Sequence, residues 1–382
     1  MLWVEIILTL SGAAVGLLLA PVLREFGYEI KVEKFARLLR TIVLLKSVPI
    51  SPFLELGNLK IADWIILDGF SRQGLKIVTS VEKSPVELPG DLKRLKRDIE
   101  REIIEDRALG KPTPYNGKSY ALAGFFCHRS EGPDELNTCH IRLKYSEYFN
   151  FLTTSGSLDR QIPGESQTVR KKYFHNVDPY KISQEFLFNS FGINIAVTTS
   201  DDRLVIVKRG ANVFRPEVFN SSVNEGLSRG LDQEASRSLS IYNVGLRGLL
   251  EELGVEAVDV KEYKLTSVGF DRKWCQYGAL GYARLNVPFS ELRQRLCISK
   301  DASFEIGFLQ MRGDGDSKVQ YSVYGIPNSP AAFSRFLEDQ QVTITSSGLV
   351  CYLLSFLSNG YALRDLAKSF REPQWKTRSF IV

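Results

Sequence analysis

The chain has 382 residues, 44% of them apolar and 24% charged, with a formal net charge of +5. That is ample for a buried core, and the positive excess is too small and too scattered to build an interface for duplex nucleic acid. Five cysteines, an odd number spread along the chain, argue for a reducing compartment and against a disulfide framework.

Residues 6–23 form an uncharged, mostly apolar run, which Leu2, Trp3 and Val4 extend. At about 1.5 Å per residue, a helix of this length just crosses a bilayer core. The expectation is a transmembrane anchor over residues 1–24 that contacts membrane lipid through residues 2–23. A cleaved signal peptide fits less well, because no basic region precedes the run and no A-x-A site follows it. A buried helix of a soluble domain is the other reading. Trp3 would stand at one interface. Gly12 and Gly16 form a small-xxx-small face suited to helix pairing and so to a homo-oligomer. Glu5 lies on one flank, and Arg24, Lys31, Lys34, Arg37, Arg40 and Lys46 on the other. Excess Lys and Arg marks the cytoplasmic side, so the expectation is a single-pass membrane protein with its soluble part in the cytoplasm. The basic residues at 31–40 suit either a solvated juxtamembrane helix or contact with anionic head groups.

Short β-like runs follow at residues 61–67 and 75–79, and then Pro89 and Gly90 break the chain. Leu92, Leu95, Ile99 and Ile103 recur at helical spacing among charges of both signs, which predicts an amphipathic helix. Strands are expected at 120–126 and 141–145. The pairs Cys127-His128 and Cys139-His140 beside them are zinc-type residues. Neighbours on a strand point to opposite faces, however, so an ordinary hairpin is the better reading. Residues 155–176 read as a polar loop with a solvated Arg170-Lys171-Lys172 cluster. They separate a juxtamembrane α+β domain over 25–185 from a second domain over 186–382.

In that second domain, residues 193–199 and 203–209 flank the turn Ser200-Asp201-Asp202 and read as a hairpin. Residues 245–253 read as a short helix with Asn243 as N-cap and Gly254 as the glycine that stops it. Leu246, Leu250 and Leu253 fall on one apolar stripe expected to face the core. Gly248, Glu251 and Glu252 fall together on another face. Two fixed carboxylates repel each other, and a hard cation such as Mg²⁺ relieves that repulsion. A return strand is expected at 262–284, and two helices at 331–370, of which 348–357 is apolar but too short to span a membrane. Glu305 lies on an expected strand, and Gly313-Asp314-Gly315-Asp316 on a tight turn. No P-loop and no G-x-S-x-G motif occurs.

The 245–255 segment resembles the C-terminal half of the Nudix box, G-x5-E-x7-R-E-U-x-E-E-x-G-U. Arg247, Glu251, Glu252, Gly254 and Val255 match, and Gly248 stands where the family has a glutamate. The loop at 221–228 keeps Glu225 but has Ser221 and Ser222 in place of glycines, and the spacing to Arg247 is longer than the pattern allows. The resemblance covers roughly residues 190–325 and implies an α/β/α sandwich. It implies Mg²⁺ as cofactor, with Glu251, Glu252 and Glu225 as metal ligands. Catalysis would fall to Glu252, Glu251 and Arg247, with Arg247 orienting the acids.

Three functions follow from these expectations. The first is a membrane-anchored module that binds a nucleotide-diphosphate-type ligand as a signalling sensor or defence effector. The second is an active Mg²⁺-dependent pyrophosphohydrolase of nucleoside diphosphate derivatives, and the third is a non-catalytic membrane scaffold. The glycine at 248 and the anchor favour the first.

Overall fold

A computed structural model describes residues 54–69, 74–111, 113–128, 137–210, 217–232, 239–296, 299, 322–339 and 343–371. The expected anchor, the basic stretch at 31–40, Glu305 and Gly313 to Asp316 lie outside these residues. No helix among the described residues is long and apolar enough to cross a membrane.

The fold is mixed α+β. Its strands are β1 (Leu54–Leu56), β2 (Leu59–Ile61), β3 (Trp64–Gly69), β4 (Leu75–Pro85), β5 (Lys118–His128), β6 (Asn137–Glu147), β7 (Phe191–Thr198), β8 (Arg203–Lys208), β9 (Phe219–Asn220), β10 (Val223–Gly226), β11 (Val260–Asp271), β12 (Gln276–Leu285) and β13 (Val323–Pro327). Its helices are α1 (Gly90–Ala108), α2 (Tyr148–Thr153), α3 (Ile241–Leu253), α4 (Phe289–Leu296), α5 (Pro330–Asp339), α6 (Ser346–Ser358) and α7 (Leu363–Ser369).

The main sheet runs β13-β8-β7-β12-β11-β3, with β10 paired to β7 and β9 to β8. Its one parallel pair among the described strands is β7 with β12, in the register Gly192 to Gly278 and Asn194 to Leu280. The expected hairpin is present, with Val197 opposite Val205 and a turn through Asp202 at φ 56°. A smaller sheet has the order β4-β6-β5. There Cys127 lies opposite Cys139, and His140 stacks on Phe126 with ring centroids 4.4 Å apart. The alternation that separates Cys127 from His128 is therefore realised as cross-strand pairing.

Side-chain alternation along β7 decides what lies on each face of the main sheet. Ile193, Ile195 and Val197 belong to one apolar core together with Leu249 and Leu253 of α3 and with Leu92 and Leu95 of α1. Ala196, Leu204, Ile206 and Leu280 belong to a second core with Leu349, Leu353 and Phe356 of α6. Helix α3 thus packs on one face and α6 on the other. The first core also takes in Leu143 and Leu187, and β3 pairs with β11, so chain from both sides of residues 185 and 186 packs together.

Three local expectations need correction. Among the described residues the C-terminal segment forms three helices and not two, and Gly360, at φ 92°, stands between α6 and α7. The Arg170-Lys171-Lys172 cluster is not simply solvated: Arg170 pairs with Asp159 at 2.7 Å, and Lys172 with Asp91 and Glu165, each at 2.8 Å. The apolar stripe of α3 is also rotated from the one expected. Leu250 is 49% exposed, whereas Val244, Gly245, Gly248, Leu249, Glu252 and Leu253 are buried.

Candidate functional site

The rotation of α3 follows from its glycines. A Cβ built on Gly248 would stand 2.7 Å from Val223 Cγ1 and 2.8 Å from Glu225 Cβ, both on β10. On Gly245 it would stand 1.9 Å from the Tyr263 hydroxyl of β11. Carbon atoms in ordinary contact are about 3.5–4.0 Å apart. The two glycines therefore let the helix lie closer to the sheet than any side chain would allow, and the Gly245–Gly248 edge becomes the contact face. Ser240, not Asn243, caps the helix, accepting from the Asn243 N–H at 3.3 Å. Gly254 ends it at φ 67°, as the sequence implies.

This seating fixes where the acids go. Glu252 is turned into the protein, 5% exposed, and its carboxylate accepts from the Asn224 N–H of β10 at 3.0 and 3.3 Å. Glu251 lies one turn beyond Arg247, and its Oε2 is 3.0 Å from Arg247 Nη1. Glu225 reaches the same Nη1 from β10, also at 3.0 Å. Asp232, in the loop after β10, accepts from Arg247 Nε and Nη2 at 2.8 and 2.9 Å, in the bidentate geometry suited to guanidinium. Arg247 Nη2 also donates to the Gly226 carbonyl at 2.9 Å. Burial works against the charged guanidinium, but the Asp232 hydrogen bonds and the charges of Glu225 and Asp232 outweigh it, so the Arg247 pKa is raised. One arginine thus ties α3 to β10 through Glu225 and to the following loop through Asp232, and pairs with Glu251 within its own helix.

All four residues named from sequence, Glu225, Arg247, Glu251 and Glu252, meet at the α3–β10 contact. Their arrangement does not fit a Mg²⁺ centre. Mg²⁺ requires near-octahedral oxygen ligands at about 2.0–2.1 Å. Here Glu225 and Glu251 are aimed at a guanidinium and Glu252 at a backbone amide. Among the described residues no group of three or more His, Cys, Asp or Glu side chains is placed to hold a metal ion. Position 248 cannot contribute an acid without displacing β10.

A cleft of about 170 Å³ lies around the end of β10, and Asn194, Arg209, Asn220, Asn224, Glu225 and Asp271 are among its lining residues. Glu225 thus belongs to both the ionic cluster and the cleft. Gly192 and Gly278, adjacent in register, give the cleft a flat stretch of backbone, and Trp64 of β3 walls it. Asn194 and Asn224 are cross-strand partners. Asn220 Oδ1 accepts from Thr345 Oγ1 at 2.6 Å, while Thr345 Oγ1 accepts from the Gly348 N–H at the start of α6. Asp271 is buried and accepts from the Trp274 N–H at 2.9 Å and from Ser346 Oγ at 3.2 Å.

Sequence reasoning missed Asp232, because the loop that carries it has no periodic pattern. It also missed Asn194, which had a signal: a carboxamide in the middle of a β-branched run is out of place in a buried strand.

No family model matches this chain, and no curated protein does. Among solved structures, that of DR0079 from Deinococcus radiodurans is similar at 12% identity and a TM-score of 0.26. The match covers 44% of this chain and 81% of that one.

Proposed function

We propose that the chain carries a degenerate Nudix-like α/β/α sandwich that binds a nucleotide-diphosphate-type ligand without hydrolysing it. In this reading it is a single-pass membrane protein, anchored through residues 2–23 with its soluble part in the cytoplasm. It acts as a signalling sensor or defence effector. The observation that carries binding over turnover is the packing of Gly248. The position where the resemblance implies an acid is filled by Val223 and Glu225, and the remaining acids are held by Arg247 and a backbone amide. A hydrolytic centre needs its acids free and its water placed to within a fraction of an ångström. Ligand binding asks only for a shaped polar cleft, which lies beside that cluster.

The test uses the full chain in detergent with a panel of nucleoside diphosphate derivatives and cyclic oligonucleotides, each with and without Mg²⁺. At least one compound is expected to raise the thermal midpoint with no product formed. Mg²⁺-dependent turnover that Glu252→Gln abolishes would replace this reading with the hydrolase. No response to any compound would leave the scaffold reading.

A further inference from the structure

We propose that Cys127 and Cys139 form a redox modification site, a resting dithiol that a hydroperoxide converts to an intramolecular disulfide. The site belongs to the smaller sheet, and neither cysteine lines the cleft beside α6, so it does not depend on the ligand reading above.

A bulge brings the two thiols together. Along the β5–β6 pair Leu122 lies opposite Leu143. Beyond Ala123 the register moves by one residue, which sets Gly124 opposite Arg142 and Cys127 opposite Cys139. Without that shift Thr138 would face Cys127 and Phe126 would face Cys139, leaving the thiols on opposite faces of the sheet. The bulged residue is held in place, because the Ala123 carbonyl accepts from Arg142 Nη2 at 2.9 Å. On the other face the stacked rings of Phe126 and His140, with planes 4° apart, pin the same register. Residues directly opposite in an antiparallel pair have Cα atoms about 4.5–5.5 Å apart, inside the range of about 4.4–6.8 Å that a disulfide bridges. Cys127 Sγ stands 3.1 Å from Cys139 Sγ. Bond formation therefore asks for an approach of about 1 Å and no change of strand pairing.

The surroundings set the resting state and the order of events. Cys139 is buried in the apolar core with Leu143 and Leu187, whereas Cys127 is half-buried on an outer strand of its sheet. The Cys127 thiol is held well above its ordinary pKa, first by its hydrogen bond with Cys139, then by burial and by the charges of Cys139 and Asp68. It rests as a thiol at neutral pH and reacts through its small thiolate fraction. That thiolate attacks the terminal oxygen of the hydroperoxide. The O–O bond breaks, and the leaving alkoxide takes up the thiol proton, which gives an alcohol and the Cys127 sulfenic acid. The Cys139 sulfur then attacks the Cys127 sulfur. The S–S bond forms, the S–O bond breaks, and the departing hydroxide leaves as water with the Cys139 proton. The two sulfurs lose two electrons and the peroxide gains them. Neither Cys275 nor Cys351 has a sulfur partner among the described residues. Cys275 donates to the Arg272 carbonyl at 3.5 Å, Cys351 to the Asn194 and Gly281 carbonyls, each at 3.4 Å, and burial pushes both thiols up to about 12.

The experiment exposes the full, reduced chain in detergent to hydrogen peroxide, blocks the remaining thiols with N-ethylmaleimide before unfolding, and maps the products by peptide mass spectrometry. A link between Cys127 and Cys139 that dithiothreitol reverses is expected. In Cys139→Ser the Cys127 sulfenic acid has no neighbouring thiol to condense with. Its capture by dimedone is expected to rise by about tenfold or more over the parent, where the intramolecular step removes it. Circular dichroism confirms that the variant folds, and the mapping of the parent stands without it. Any of four results would overturn the site: Cys127 of the parent stopping at its sulfenic or sulfinic acid; a link to Cys275, Cys297 or Cys351 in place of Cys139; dimedone capture unchanged in Cys139→Ser; or both thiols still reduced after prolonged exposure to excess peroxide at mildly alkaline pH.

Discussion

Gly248→Ala tests the physical claim on which the function rests. In a helix interior alanine is favoured over glycine by about 1 kcal/mol, so on helix propensity alone the change should stabilise α3. Space gives the opposite sign. The new Cβ would meet Val223 Cγ1 at 2.7 Å and Glu225 Cβ at 2.8 Å. Neither atom is the free end of a flexible side chain, because Glu225 is held by Arg247 and β10 by Glu252 on the Asn224 N–H. Overpacking of this kind costs about 1–3 kcal/mol. After the propensity gain, a net loss of up to about 2 kcal/mol is expected, read from urea unfolding followed by tryptophan fluorescence. Gly90→Ala is the matched control. Gly90 opens α1 with nothing within 4 Å of its Cβ position, so alanine there should be neutral or stabilising by up to about 1 kcal/mol. If Gly248→Ala stabilises the protein by about 1 kcal/mol, as helix propensity alone would give, while the control behaves, the close approach of α3 to β10 is wrong. Position 248 would then no longer favour binding over hydrolysis.

Arg247→Met should destabilise the protein by about 3–5 kcal/mol, because it leaves Glu225, Asp232 and Glu251 facing one another at a partly buried contact. A loss under about 1 kcal/mol in the same unfolding assay would mean that solvent already screens those acids. Tyr263→Phe should be neutral or stabilising by up to about 1 kcal/mol, because the buried hydroxyl has no hydrogen-bond partner among the described residues and crowds Gly245. A clear loss would point to a partner for that hydroxyl. Asp91 provides a pH signature. Burial works to raise its carboxyl, but hydrogen bonds from Lys172 at 2.8 Å and Tyr173 at 2.6 Å hold it below the ordinary carboxylate range. A depressed folded pKa gives stability that is complete above the ordinary value of about 3.9 and is lost as pH falls through the folded value. Asp91→Asn should therefore flatten the acid limb of stability against pH, and an unchanged limb would show that other carboxylates set it.

Local chemistry made several elements legible in advance. The stripe Leu92, Leu95, Ile99 and Ile103 is the buried face of α1, because 3.6-residue periodicity is a property of the chain itself. The hairpin of β7 and β8 follows from two β-branched runs around a polar turn, and Gly254 stops α3 because only glycine adopts positive φ there at little cost. Sequence spacing also brought Arg247 and Glu251 together, since residues four apart are neighbours on any helix.

Tertiary contact decided the rest. Which stripe of α3 is buried depended on how near the helix could come to the sheet, and that depended on Gly245 and Gly248 meeting Tyr263, Val223 and Glu225. Leucines predict the more apolar face. Glycines permit the closer one, and here close approach prevailed, leaving Leu250 exposed and drawing Glu252 inward. The cleft was less visible still. Asn194, Asn220, Asn224 and Asp271 come from four strands spread over residues 191–271, and each is an ordinary polar residue until register and the start of α6 place them around one space. The sequence by itself determined the elements and the Arg247–Glu251 pair, because those depend on neighbours along the chain. What the acids bind, and what room is left for a ligand, was decided between elements, where distances of an ångström separate a metal ligand from a structural ion pair.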